Sequence, residues 1–322
     1  MREALFIKKN KDRWQKNQTE TEQDADEMAM DFIQLVDDLS YAKTFYPKSN
    51  ITRFLNAKAS KAYIGIYQNR MEDRSRIKEF WKWTVPLTVR KHHGVLLFCG
   101  LFFITFFITG FYSAKYDESF IREMLGNQYV NMTEENIENG KPFGVYAEGG
   151  PLLMWLGIMI NNIFVAFGYF AKGLLLCIPL VISLLSEGIR LGAFEQLFFS
   201  KGLGLQSVLT VFIHGTLEIS AIVIAGAAGI ILGKSWLFPG TGKRLHAFIS
   251  GAKDGVTILV SLIPVFAVAA FFEGFITRYD TMPWWLSGSI LLLSAAYIIW
   301  YYVIFPIQQG QRSSANRKTP FL

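Results

Sequence analysis

HGTLEISAIVIAGAAGIILG, residues 214–233, joins two titratable side chains, His214 and Glu218, to an apolar run filled with glycine and alanine. A helix turns about 100° per residue, so His214, Glu218, Ala221, Ala225, Gly229 and Gly233, spaced by four, three, four, four and four, share one stripe. Small residues on such a stripe let a second helix backbone come close, and Gly229 with Gly233 has the GxxxG form. His214 and Glu218, one turn apart, can bond each other or a neighbouring helix. The stretch therefore reads as a helix-packing face with a polar end, and the rest of the chain decides whether its solvent is water or lipid.

The 322 residues are 51% hydrophobic and 15% aromatic, and charge is densest before Gly94. Beyond it come six apolar segments, Val95–Tyr112, Leu152–Phe170, Leu174–Leu191, Val208–Leu232, Val256–Thr277 and Ser287–Phe305. Each is near the roughly 20 residues with which a helix crosses a hydrocarbon core of about 30 Å. The expected fold is all-α: a polytopic membrane protein with about six transmembrane helices and an N-terminal cytoplasmic helical domain. The division is residues 1–94 for that domain and its interfacial segment, 95–305 for the membrane domain with an extracytoplasmic loop at 113–151, and 306–322 for a cytoplasmic tail.

Charge sets the expected orientation. MREALFIKKNKDRWQKNQ shows no apolar stretch of a secretory signal, so the first residues are expected to stay on the side of synthesis. Eighteen Lys and Arg fall in residues 1–94, whereas the loop from Ser113 to Pro151 has three against seven acids. Lys234, Lys243, Arg244 and Lys253, and then Arg312, Arg317 and Lys318, land on the same face as the N-terminal domain. Lys201 and Arg278 fall opposite. The pattern follows the positive-inside rule, with both termini in the cytoplasm. The net charge of +6 is then a topology signal, and nucleic acid is not an expected partner. Cys99 and Cys177 lie in spans with no CxxC or Cys/His spacing, which argues against a disulfide framework or a zinc finger.

In the first domain Phe32, Leu35, Val36 and Leu39, and then Ile51, Phe54, Leu55, Ala62, Tyr63 and Ile66, recur at helical spacing. Pro47 stops the first helix, and Ser49 or Asn50 caps the second, giving a hairpin with its turn at YPKSN. Asp24, Asp26, Glu27, Asp31, Asp37 and Asp38 read as a solvated face, with a docking surface for a basic partner as the alternative. KEFWKWTVPLTVRKHH mixes Trp81 and Trp83 with lysines and suits a membrane surface. Pro179 and Pro264 read as kinks inside spans, KRLHAFISGAK as a short surface segment, and the outer loop as holding one helix around Glu118–Leu125.

FIQLVDDLSYAKTFYPKSNITRFLNAKASKAYIGIYQNR, HGTLEISAIVIAGAAGIILG, LFPGTGKR and FFEGFIT together resemble the stage II sporulation protein M family. In one place the chain departs from it: Glu187-Gly188 stands where many relatives have asparagine and glycine. The resemblance implies an integral protein of the cytoplasmic (inner) membrane without an established activity of its own. Implied partners are envelope or peptidoglycan-remodelling proteins and, from the company its bacterial relatives keep, MoxR-type ATPases or von Willebrand factor A-domain proteins. The lipid bilayer is the constant partner, and homo-oligomerisation stays open.

The expected site is an intramembrane polar cluster of His214, Glu218, Glu273, Glu187, Arg190, Asn161 and Asn162. An ionisable residue in a span costs about 2.5–3.5 kcal/mol on insertion scales, so such groups pair or line a watery cavity. Arg190, the one strong cation of the set, has Glu187 or Glu218 as its nearest partner by topology. Three functions compete. The first is a structural network in a non-enzymatic scaffold or accessory component of a bacterial cell-envelope complex. The second is a small-molecule, proton or lipid transporter. The third is an intramembrane metal-dependent hydrolase built on His214, Glu218 and Glu273. HExxH, a second histidine in the spans and a GxSxG elbow are all missing from the sequence, so no metal and no cofactor is expected.

Overall fold

A computed structural model describes residues 3–16, 25–68, 75–140, 142, 150–277 and 282–318, and every element among them is helical. Asp24 and Arg278 lie outside these residues, as do the side chains of Asp26, Glu27, Ile66, Arg317 and Lys318. The chain forms two compact units, Met1–Lys78 and Glu79–Leu322.

The first unit holds α1 (Glu3–Lys16), α2 (Ala25–Phe45) and α3 (Asn50–Gln68), and a short α4 (Ser75–Glu79) follows. α2 and α3 form the expected hairpin: α2 stops before Pro47, and Ser49 Oγ accepts the Ile51 N–H at 3.2 Å. The Ser49 hydroxyl also donates to Glu3, which ties the turn to the start of α1. Leu35, Leu39, Ala42, Leu55 and Ala59 bury against Phe6 and Trp14 of α1. Asp38 departs from its expected solvated role. It accepts from the Trp14 indole at 2.8 Å and pairs with Arg13. That pairing follows from α1, which brings a cation and an indole onto the acidic face of α2.

The second unit begins with a π-helical turn, Phe80–Thr84, and α5 (Val85–Lys91). It continues through α6 (His93–Tyr116), α7 (Glu118–Leu125), α8 (Asn127–Glu138), α9 (Pro151–Lys172), α10 (Ile178–Ser200) and α11 (Gly204–Leu237). α12 (Arg244–Phe271) runs into a π-helical segment, Phe272–Thr277, and α13 (Trp284–Ile299) passes through a second one, Trp300–Ile304, into α14 (Phe305–Lys318). Five stretches among the described residues are long and apolar enough to cross a membrane: His93–Tyr116, Pro151–Lys172, Gly204–Leu237, Arg244–Ile276 and Trp284–Arg312. α10 is of spanning length and lies along α6 and α11, but Glu187, Arg190 and Glu195 make it too polar for that set.

Local chemistry shifts several boundaries. Leu174–Cys177 forms a turn rather than the start of the third span, and Pro179 sits at the first turn of α10, where its missing N–H has no helical partner to lose. It therefore does not kink a span, whereas Pro264 is inside α12. KRLHAFISGAK is not a separate surface segment, because Arg244 opens the continuous helix α12. Gly251 and Gly255 allow this: both are buried, and Gly255 faces Ala228 and Phe170. The outer loop holds two helices rather than one, divided at Gly126, whose φ of 86° a residue with a side chain rarely adopts.

α11 is the axis of the unit. Its 34 residues, about 51 Å at 1.5 Å per residue, pack against α6, α9, α10, α12 and α13. The small-residue stripe lies where the sequence puts it: Ala221, Ala225, Gly229 and Gly233 are all buried. Gly229 rests on the Tyr169 carbonyl of α9, and Gly233 meets the carbonyl of Gly173 in the turn that follows. α10 meets α6 the same way, through Gly188 against Phe103 O and Gly192 against Phe107 O.

Candidate functional site

Three segments meet beside the polar end of that stripe. His214 and Glu218 stand one turn apart on α11, Glu273 is the second residue of the π-helical segment after α12, and Asn162 comes from the middle of α9. A π-helical turn bonds i to i+5, and the extra residue re-aims the side chains that follow; such turns recur at functional sites. Gly274 lets the segment press on α9, where a Cβ would come to 3.3 Å from the Trp155 nitrogen. The Trp155 indole donates to the Ala267 carbonyl at 2.9 Å and fixes α9 against α12.

The ligating atoms of His214, Glu218 and Glu273 lie within 4.8 Å of one another. His214 and Asn162 are each 4% exposed, while Glu218 and Glu273 are half-buried. Asn161 donates through Nδ2 to Asn162 Oδ1 at 3.4 Å from the outer side of α9. Asn162 stands beside Glu218, and among the described residues its Nδ2 makes no hydrogen bond of ordinary length.

Arg190 does not reach this centre. It stands 3.9 Å from Glu187 on its own helix, and both side chains are substantially exposed. Glu187 approaches Glu218 only as a second negative charge. Among the described residues no Lys or Arg pairs with Glu218 or Glu273. Two ionised carboxylates at 4.8 Å repel by about 3–4 kcal/mol at an effective dielectric of about 20, so the arrangement calls for a proton or a cation between them.

This constellation lies wholly within residues 99–278, which match the family model for stage II sporulation protein M. The chain belongs to that family. Residues 4–68 match a second model, described as a domain of unknown function (DUF8413). No curated protein matches the chain, and no solved structure does. At Glu187-Gly188, Gly188 gives α6 its close approach, while Glu187 takes up Arg190.

Other polar groups carry structure that their sequence positions did not signal. Asp254 of α12 takes Lys91 at 2.7 Å and His92 at 2.8 Å, at the end of the unit where the His93 ring meets the Tyr302 carbonyl at 3.0 Å. Glu195 of α10, 2% exposed, accepts from the Ser207 hydroxyl of α11 at 3.3 Å. Cys99 and Cys177 are both free, the first buried and the second partly so. An acid eight residues after Glu187 and an acid beside a basic run were the available signals for Glu195 and Asp254, and neither has a fixed spacing to a partner.

Proposed function

We propose that this family member is a non-enzymatic scaffold or accessory component of a cell-envelope complex in the cytoplasmic membrane, with both termini in the cytoplasm and α7–α8 outside. The observation that carries this reading is the packing of α11. It touches backbone of α9 at Gly229 and of the following turn at Gly233, while α6 and α10 touch backbone at Gly188 and Gly192. Contacts of that kind favour a fixed frame, since sliding one helix past another would drive side chains into carbonyls. α7 and α8 stand on this frame through Ile121 and Val130, packed on Ala193 and Leu197 of α10. They are the surface on which a peptidoglycan-remodelling partner would dock, and the first domain is the corresponding surface for a MoxR-type ATPase or a von Willebrand factor A-domain protein.

The test is photo-crosslinking in cells from exposed positions of α7–α8, such as Glu123 and Asn139, with mass spectrometry of the adducts. Capture of an envelope enzyme at these positions and not from Leu292, on the exposed face of α13, is the expected result. Transport by the purified protein in proteoliposomes, with no adduct from α7–α8, would overturn the reading. The second reading, proton or small-molecule transport, is favoured by the acids that lead from Glu187 to Glu218 and Glu273.

A further inference from the structure

We propose that His214, Glu218 and Glu273 bind a divalent first-row transition-metal ion that ties α11 to the π-helical end of α12. The inference stands apart from the choice between scaffold and transporter, because either can hold such a tie. Three facts carry it. An imidazole and two carboxylates present their ligating atoms within 4.8 Å of one another; ligands about 2.0–2.2 Å from a shared tetrahedral ion stand about 3.3–3.6 Å apart, so the three side chains need draw in by only about 1 Å to share one. Two formal negative charges meet with no Lys or Arg paired to them among the described residues, and a divalent ion cancels both. Asn162, 4% exposed, stands beside Glu218 with an amide nitrogen that makes no hydrogen bond of ordinary length among the described residues, a polar group left for the cluster to complete.

The single histidine argues less strongly against a metal than it does in the sequence alone. Imidazole with carboxylate oxygens is a donor set for Mn²⁺, Fe²⁺ or Zn²⁺, whereas Mg²⁺ dehydrates reluctantly and favours oxygen with several waters. A half-turn of the Asn162 amide exchanges its nitrogen for its oxygen and offers a further oxygen ligand. With the amide in its present sense, a small closing movement lets its nitrogen donate to Glu218 from outside, as a positioning residue. α9, α11 and the π-helical segment then share one ion at the point where they converge.

The full-length protein, purified without a polyhistidine tag, is stripped with EDTA and titrated with Zn²⁺, Mn²⁺ and Mg²⁺. Binding of about one Zn²⁺ or Mn²⁺ per chain, with a saturable rise in melting temperature and little response to Mg²⁺, is the expected result. His214→Gln and Glu273→Gln should abolish that rise, and Asn162→Ala should weaken affinity by about 10- to 100-fold. Arg190→Gln, outside the centre, should bind like the parent. Melting that ignores Zn²⁺ and Mn²⁺ would overturn the proposal, as would binding that survives both ligand variants. Should those variants fail to fold, the Co²⁺-loaded parent decides. Visible bands of low-symmetry nitrogen and oxygen coordination support the site, and the spectrum of hydrated Co²⁺ overturns it.

Discussion

Gly229 of α11 faces the carbonyl oxygen of Tyr169 on α9 so closely that a Cβ at this position would stand 2.7 Å from that oxygen. The obstacle is backbone and cannot rotate aside, so even a methyl group requires the helices to part. Gly229→Leu should cost about 1–3 kcal/mol or more through overpacking. Ile230→Leu, one position off the stripe and only partly buried, conserves volume and should cost less than about 1.5 kcal/mol. Thermal unfolding in one detergent measures both, and equal melting temperatures would remove Gly229 from the packing face.

Glu134 of α8 offers a test in which pH gives the sign. The Lys201 ammonium, hydrogen-bonded at 2.7 Å, and Arg122 at 2.9 Å hold its carboxyl below the usual range. A lowered folded-state value means stabilisation that is complete above the unfolded value and lost as pH falls through the folded one. Resistance of α7–α8 to proteolysis should therefore decline on acidification below the ordinary glutamate range. Glu134→Gln should be insensitive over that window, and its cost at neutral pH should be no more than about 1 kcal/mol, since both partners are largely exposed. A parent and variant with identical acid profiles would contradict this assignment.

Orientation follows from Lys and Arg and is checked by labelling. Cysteine at Asn139, exposed at the end of α8, should react with an impermeant thiol reagent in intact cells, and cysteine at Arg312 should react only after lysis. The signal is read against the parent, whose Cys99 is buried and Cys177 partly so. The reverse pattern would overturn the proposed topology.

The spans and the small-residue stripe were legible because each rests on a period within one segment. The apolar runs fix length, and His214 to Gly233 fixes a face. Less legible were features that depend on two segments at once. Pro179 looks the same in sequence whether it kinks a helix or begins one, and only the turn at Leu174–Cys177 decides. KRLHAFISGAK has the charges of a surface segment, and nothing in it announces that Gly251 is buried in a continuous helix. At the site, His214 and Glu218 declared themselves by spacing, but Glu273 joins them through a π-helical turn that no periodicity announces. Arg190 went to Glu187 rather than Glu218 because three residues along one helix need no tertiary contact, whereas Glu218 lies on another.

Asp254 shows the same limit from the other side and gives the last test. On α12 it follows a basic run and looks like one more surface charge, yet its carboxylate is 19% exposed and joins Lys91 and His92, which flank the start of α6. Asp254→Asn keeps the size of the side chain and removes the charge that both partners use. Leaving His92 part-buried without that partner should cost about 1–3 kcal/mol. Lys91→Gln should cost less than about 1 kcal/mol, because that lysine is 57% exposed and returns to water when its partner is lost. The ranking, Asp254→Asn below Lys91→Gln in melting temperature, is the measured quantity. An Asp254→Asn protein as stable as the parent would show that α5 and α12 are held by their apolar contacts alone, and that the acid does no more than mark the end of a span.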